Sequence, residues 1–298
     1  MARRESMAEP TFLDALSLPM VQRGLVAGSL CGLCCASLSP LVVLRRMAFV
    51  GDGIAHAAFG GMGIALFFVA GSRFEDNSVR AITILWCLVL GFAIGKVTRR
   101  GESGKLAEDS AIGIAFSVSM ALGALLIMLK QQRERTYVQP IDALLFGNIF
   151  LLTDVDVVLL GALTVVILAV LAMFFKEIFF YAFDARLAEV SGVDARFIHY
   201  LFIMLLVLVV VISSRVVGIV LVSASLIIPG VIALRLCTRL LPAILTASVI
   251  GSLSFFFGMY LSHLWRVSPG SAVILLQFVC LLAVKLLLLI RGPKVAAH

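Results

Sequence analysis

Long apolar blocks alternate with short polar interruptions along this chain. The blocks run near 21–44, 51–70, 81–97, 111–129, 155–175, 200–214, 216–236, 243–264 and 272–290. A helix rises about 1.5 Å per residue and the hydrocarbon layer is about 30 Å thick, so segments of about 20 apolar residues have the length to cross a bilayer. The pattern predicts an all-α polytopic membrane protein with about eight or nine transmembrane helices, forming one transmembrane domain over residues 1–298. The polar start, MARRESMAEPTF, makes residues 1–19 a tail or interfacial segment. The first apolar run is too long for a cleavable signal.

Two interruptions are longer than the rest. Residues 96–109 (KVTRRGESGKLAED) end in Glu108 and Asp109, which suit the positive end of the helix that follows. Residues 183–197 (FDARLAEVSGVDARF) are too polar to span and carry one apolar face. They predict a short surface helix, a turn at Gly192 and a second short helix. Beyond them, Arg215, Gly218, Pro229 and Gly230 punctuate the apolar run 200–236. Gly and Pro free backbone groups that lipid cannot satisfy, so this segment reads as a broken or bent helix packed inside protein, as along permeation pathways.

Composition agrees with the pattern. Of 298 residues, 62% are hydrophobic and 14% charged, with a mean hydropathy of +1.13. A soluble domain is about 45–50% apolar and about 25% charged, and one core of this size could not hide the difference. The formal charge of +7 does not point to nucleic acid, because the bases form short clusters between apolar blocks, as in the cytoplasmic loops of an inner-membrane protein. With nine spans and an inner C-terminus, Arg45, Arg46, Lys96, Arg99, Arg100, Arg196, Arg235 and Arg239 fall inside. Arg73, Arg80, Lys130, Arg133 and Arg215 fall outside, and the Arg3–Arg4 pair pulls the N-terminus the other way. Cys31, Cys34 and Cys35 lie within the first span, where cysteine behaves as a small hydrophobe, and no disulfide framework is implied.

Candidate chemistry concentrates in Gly51-Asp52-Gly53-Ile54-Ala55-His56-Ala57. Asp52 and His56 are four residues apart and therefore share one helix face. An ionisable group at membrane depth costs roughly 2.5–3.5 kcal/mol on insertion scales, and is kept where it pairs, lines water or holds a cation. Imidazole nitrogen with carboxylate oxygen suits Mn, Fe or Zn better than Ca or Mg. Two ligands make a weak site, which fits an ion that must leave again; a second copy of the chain could supply two more. A structural ion pair is the alternative. Gly51, Gly53, Gly60, Gly61 and Gly63 around the pair allow close helix approach. His263, near Trp265 and Arg266, and His199, beside the amphipathic stretch, read as interface markers. Asp142, Asp154 and Asp156 read as solvated charge or helix caps. The chain holds no P-loop, H-E-x-x-H or G-x-S-x-G, so it does not hydrolyse ATP by itself.

At these residues the sequence resembles the permeases of manganese, zinc and iron ABC importers. The resemblance runs through PLVVLRRMAFVGDGIAHAAFGG (40–61), EDSAIGIAFS (108–117), LLFGNIFLLT (144–153), FDARLAEVSGV (183–193), VVGIVLVSASLIIPGVIA (216–233) and SPGSAVIL (268–275), in order. It implies a homodimeric permease similar in fold to the vitamin B12 importer. A cytoplasmic ABC ATPase dimer and an extracytoplasmic metal-binding protein would be its partners. The divalent ion would be cargo, with no cofactor permanently bound. The resemblance implies Asp52 and His56 as metal ligands of the pathway. It also implies a coupling helix pair for the ATPase carrying Asp184, Ala188, Ser191, Gly192, Val193 and Arg196. The chain departs from the family pattern at Ala55, where Ser is common, at Phe59-Gly60-Gly61, where Leu-Pro-Gly is frequent, and at Gly230-Val231, where Ala-Ala is usual. Two other classes remain at this stage: an ATPase-independent secondary metal or proton transporter or channel, and an intramembrane metalloenzyme.

Overall fold

The structure is a computed structural model that describes residues 19–69, 75–99, 105–134, 152–183, 192–265 and 267–291. Its elements are α1 (Pro19–Leu44), α2 (Ala48–Phe68), α3 (Glu75–Arg99), α4 (Lys105–Glu134), α5 (Asp154–Met173), α6 (Phe175–Phe183), α7 (Ala195–Val217), α8 (Ile219–Ser225), α9 (Ile228–Leu236), α10 (Leu240–Trp265) and α11 (Pro269–Arg291). Among the described residues, nine helical segments are long and apolar enough to cross a membrane, α8 and α9 together counting as one. The chain is thus an all-α, multi-pass membrane protein.

Burial sorts the helices into an inner and an outer set. In α1, α2 and α7 about two thirds or more of the spanning window is buried, against 22% in α4 and 11% in α11. Small residues draw the inner helices against their neighbours. A Cβ added to Gly32 of α1 would lie 2.7 Å from the carbonyl oxygen of Gly251 in α10, and one on Gly63 of α2 would lie 2.6 Å from the Gly123 backbone of α4. Lipid offers no hydrophobic drive for helix pairing, so this close backbone packing is what holds such helices together. Cys31, Cys34 and Cys35 are fully buried on α1, with the Cys35 thiol 3.9 Å from the Ser213 hydroxyl. They act as the small packing residues their position implied.

One end of the bundle gathers α1, α3, α6 and α7. The Arg45 guanidinium lies 4.1 Å over the Tyr181 ring and donates to the Tyr181 carbonyl at 3.2 Å. The Tyr181 hydroxyl is 2.6 Å from Nδ1 of His199, whose Nε2 is 3.0 Å from the Gly95 carbonyl oxygen. The Tyr181 hydroxyl donates to Nδ1, because the proton of the ring sits on its other nitrogen. The Gly95 carbonyl only accepts, which places the ring proton of His199 on Nε2. His199 is 5% exposed. It is a buried tie between helices and not the interface marker its sequence position suggested.

The opposite end carries Arg23 paired with Asp154 at 2.8 Å and Arg80 paired with Asp156 at 3.0 Å. Thr153 and Asp156 also close a capping box on α5, so Asp156 is the helix cap and the exposed Asp154 the solvated charge that the sequence suggested. His263 lies exposed in the last turn of α10, two residues from the 61% exposed Trp265.

Two further expectations change. The second short helix after Gly192 is the first turn of α7, which runs unbroken from Ala195. The Asp194 side chain accepts from the amides of Arg196 and Phe197, and Ile198, His199 and Phe202 bury the same face, so nothing stops the helix. In addition, α6 extends the fifth span beyond a one-residue interruption at Phe174. Its polar Lys176 and Glu177 interrupt the apolar pattern there.

Candidate metal-passage site

The site begins at a tight turn. Arg46 takes a left-handed conformation, φ 56°, and α2 starts at Ala48. In the first half of α2 the side chains at 50, 51, 53–55 and 57–60 are buried, while Phe49, Asp52 and His56 keep an open stripe. The spacing of three and four residues puts all three on one face. Asp52 is 49% exposed and His56 21%.

Depth follows from the neighbours. A Cβ on Gly51 would touch Leu206, eleven residues into α7, and the His56 ring stacks edge-on against Phe116 at 4.6 Å, four residues into the spanning part of α4, Ile112–Arg133. On α2, whose spanning part begins at Ala48, Asp52 and His56 lie about 6 and about 12 Å from the start. The acidic and imidazole groups therefore stand inside the spanning helix, on a face that this chain leaves open.

Nε2 of His56 is 3.6 Å from Oδ1 of Asp52, longer than a hydrogen bond. The pair is adjacent without being locked. Oδ1 of Asp52 instead accepts from the Ser223 hydroxyl at 2.9 Å. Ser223 comes from α8, 171 residues away, and no spacing rule in the sequence could have paired it with Asp52.

The segment that delivers Ser223 is interrupted on both sides. Gly218 ends α7 and begins α8 at φ 87°, ψ 157°, a region essentially reserved to glycine. A second break falls at Leu226–Ile227, between α8 and α9. Pro229 lies in the first turn of α9, where its missing N–H is harmless. Gly230 donates its N–H to the Ser39 hydroxyl at 2.8 Å, and a Cβ there would lie 2.5 Å from the Ser39 backbone. The discontinuity anticipated at Gly218, Pro229 and Gly230 is thus present, with Gly218 as the break and the other two as the restart.

Chemically, this chain offers one carboxylate and one imidazole facing a shared opening, with a hydroxyl behind the carboxylate. Among the described residues no group of three His, Cys, Asp or Glu side chains is placed to hold a metal ion. Of the residues expected to couple to an ATPase, Gly192 forms a turn at φ 76°, and Val193 and Arg196 border and begin α7. Asp184, Ala188 and Ser191 lie outside the described residues.

The model of the ABC 3 transport family matches residues 17–287. The chain belongs to that family. Among relatives of this ABC 3 transport protein, the manganese transport system membrane protein MntC of Listeria monocytogenes is 31% identical over 265 residues, covering 89% of each chain. The manganese import system permease protein ScaB of Streptococcus gordonii is 30% identical over 255 residues and 86% of each chain. Among solved structures, PsaBC from Streptococcus pneumoniae in complex with Fab aligns with a TM-score of 0.77 at 28% identity, covering 92% of this chain and 94% of that one.

Proposed function

We propose that this ABC 3 transport protein is the permease through which a divalent first-row metal ion, Mn, Zn or Fe, enters the cell, working as a homodimer. The observation that carries the reading is the open, unlocked Asp52–His56 pair within the spanning helix α2. One nitrogen and one oxygen donor bind such an ion without trapping it. Two copies facing each other would double the donor set. The names of MntC and ScaB favour manganese as the first cargo to test.

The ion would arrive from an extracytoplasmic metal-binding protein. A cytoplasmic ATPase dimer would seat the 183–197 segment, and its ATP-driven closure would move that segment with the start of α7. Because α7 packs against α2 near Gly51, the movement reaches the metal pair and exchanges outward and inward access. Asp52 and His56 hold the ion between these states, and hydrolysis on the ATPase resets them.

Reconstitution in liposomes with and without the ATPase tests this. ATP-dependent Mn uptake that disappears in Asp52→Asn and His56→Ala supports it. Uptake at full rate without an ATPase moves the chain to the secondary-transporter class, and unchanged uptake by both variants removes the site assignment.

A further inference from the structure

Hydroxyl groups inside this bundle mostly satisfy themselves at home. Ser37, Thr83, Thr164, Ser214 and Ser254 each donate to a carbonyl three or four residues earlier in their own helix, the usual habit of Ser and Thr in membrane helices. Ser223 has such a carbonyl in Ile219, yet its proton goes to Oδ1 of Asp52 on another helix.

The backbone around Ser223 is arranged to hold that contact. α8 has only seven residues and is set off by the breaks at Gly218 and Leu226–Ile227. Two residues on, the buried Ser225 hydroxyl accepts from Gln277 of α11 at 3.3 Å, and beyond the second break Gly230 is tied to Ser39 of α1. The short helix is therefore fixed to α11 on one side and followed by an anchored α9, with Ser223 turned toward α2.

We infer that Ser223 is a positioning residue for the metal pair: by holding Oδ1 it keeps Asp52 from closing onto His56 and leaves Oδ2 and the imidazole for the ion. The inference rests on the proposed role of Asp52 and His56. Oδ1 is the same oxygen that faces Nε2 of His56 at 3.6 Å, so the serine proton and the imidazole compete for it. With the serine bond made, the carboxylate is turned and partly neutralised at that oxygen. Without it, the side chain is free to rotate toward the histidine and accept from Nε2–H, tying up the nitrogen the ion needs. Groups that hydrogen-bond a metal ligand are typically worth about 10–100-fold in metal affinity.

The test is Mn(II) titration, followed by electron paramagnetic resonance, of the full chain in nanodiscs. Ser223→Ala is expected to weaken binding about tenfold, and Ser223→Thr, which keeps the donor, to recover most of the loss. The Mn(II) line shape of the alanine variant at saturation should also differ from wild type, a change that general destabilisation does not produce. Equal affinity and line shape in Ser223→Ala, or equal losses in the alanine and threonine variants, overturn the inference. Asp52→Asn run alongside separates the two levels. If it binds Mn(II) as wild type does, the metal pair itself is misassigned; if it loses binding while Ser223→Ala does not, only the role of Ser223 falls.

Discussion

Two histidines in this bundle show opposite solutions to the same problem. His199 is 5% exposed, with both ring nitrogens engaged, by Tyr181 on one side and Gly95 on the other. His56 lies deeper along the bundle, open by about a fifth of its surface, with a carboxylate 3.6 Å from Nε2. Each carries a polar ring into an apolar setting, which costs free energy unless the ring is bonded. His199 is fully bonded and ties α3, α6 and α7 together. Among the described residues, His56 has only the carboxylate at 3.6 Å and the Phe116 ring beside it, which leaves room for the proposed ion to bond it. Residue type and depth do not separate a structural histidine from a functional one, whereas the state of the ring nitrogens does.

Exchanging the roles gives the largest expected effects. Asp52→Asn and His56→Ala should each reduce metal uptake by more than about a hundredfold, since even the partners of metal ligands are worth about 10–100-fold. Thermal unfolding in detergent should barely move, because Asn keeps an acceptor for the Ser223 hydroxyl and His56 makes no hydrogen bond to Asp52. His199→Ala should do the reverse. It leaves the Tyr181 hydroxyl and the Gly95 carbonyl buried without the ring, at about 2–4 kcal/mol, so the melting temperature falls while uptake per folded molecule persists. A stable His199→Ala protein with no uptake would move His199 into the pathway and erase the contrast.

Gly218→Ala sharpens the comparison from the backbone side. Holding a non-glycine residue at φ 87° costs about 1–3 kcal/mol. Relief of that strain displaces α8, so both stability and Mn affinity should drop, the latter toward the level of Ser223→Ala. Affinity unchanged in a destabilised Gly218→Ala protein would separate the break from the site. At the bottom of the scale stands Asp154→Asn. Its pair with Arg23 is 74% and 45% exposed on the two sides, and such pairs contribute at most about 1 kcal/mol. Neither uptake nor melting should respond beyond that, and a large loss would mean that this end of the bundle is buried in an assembly.

The nine apolar blocks of the sequence correspond one for one to the nine spanning segments of the described residues, because lipid demands long apolar runs and that requirement is written locally. It also displayed Asp52 and His56, whose helical spacing is local and whose charge stands out against alanine and glycine. It did not display Ser223, since a serine among VLVSAS is unremarkable until α8 folds back on α2. Nor did it show α6, where Lys176 and Glu177 interrupt the apolar pattern, or the burial of His199. A polar residue next to a polar loop reads as interfacial unless its partners, here eighteen and 104 residues away, are known. The break near Gly218 was legible because glycine at that point has few other uses, but its product, a short helix whose Ser223 reaches Asp52, was not.

The central claim is that a divalent ion stands between Asp52 and His56 on its way through the membrane. Anomalous diffraction at the manganese edge, from crystals of the permease soaked in Mn(II), addresses it most directly. A peak within coordination distance of both side chains, absent in crystals of Asp52→Asn, is the predicted result. A peak elsewhere in the bundle, or one at this position that survives both Asp52→Asn and His56→Ala, would contradict it.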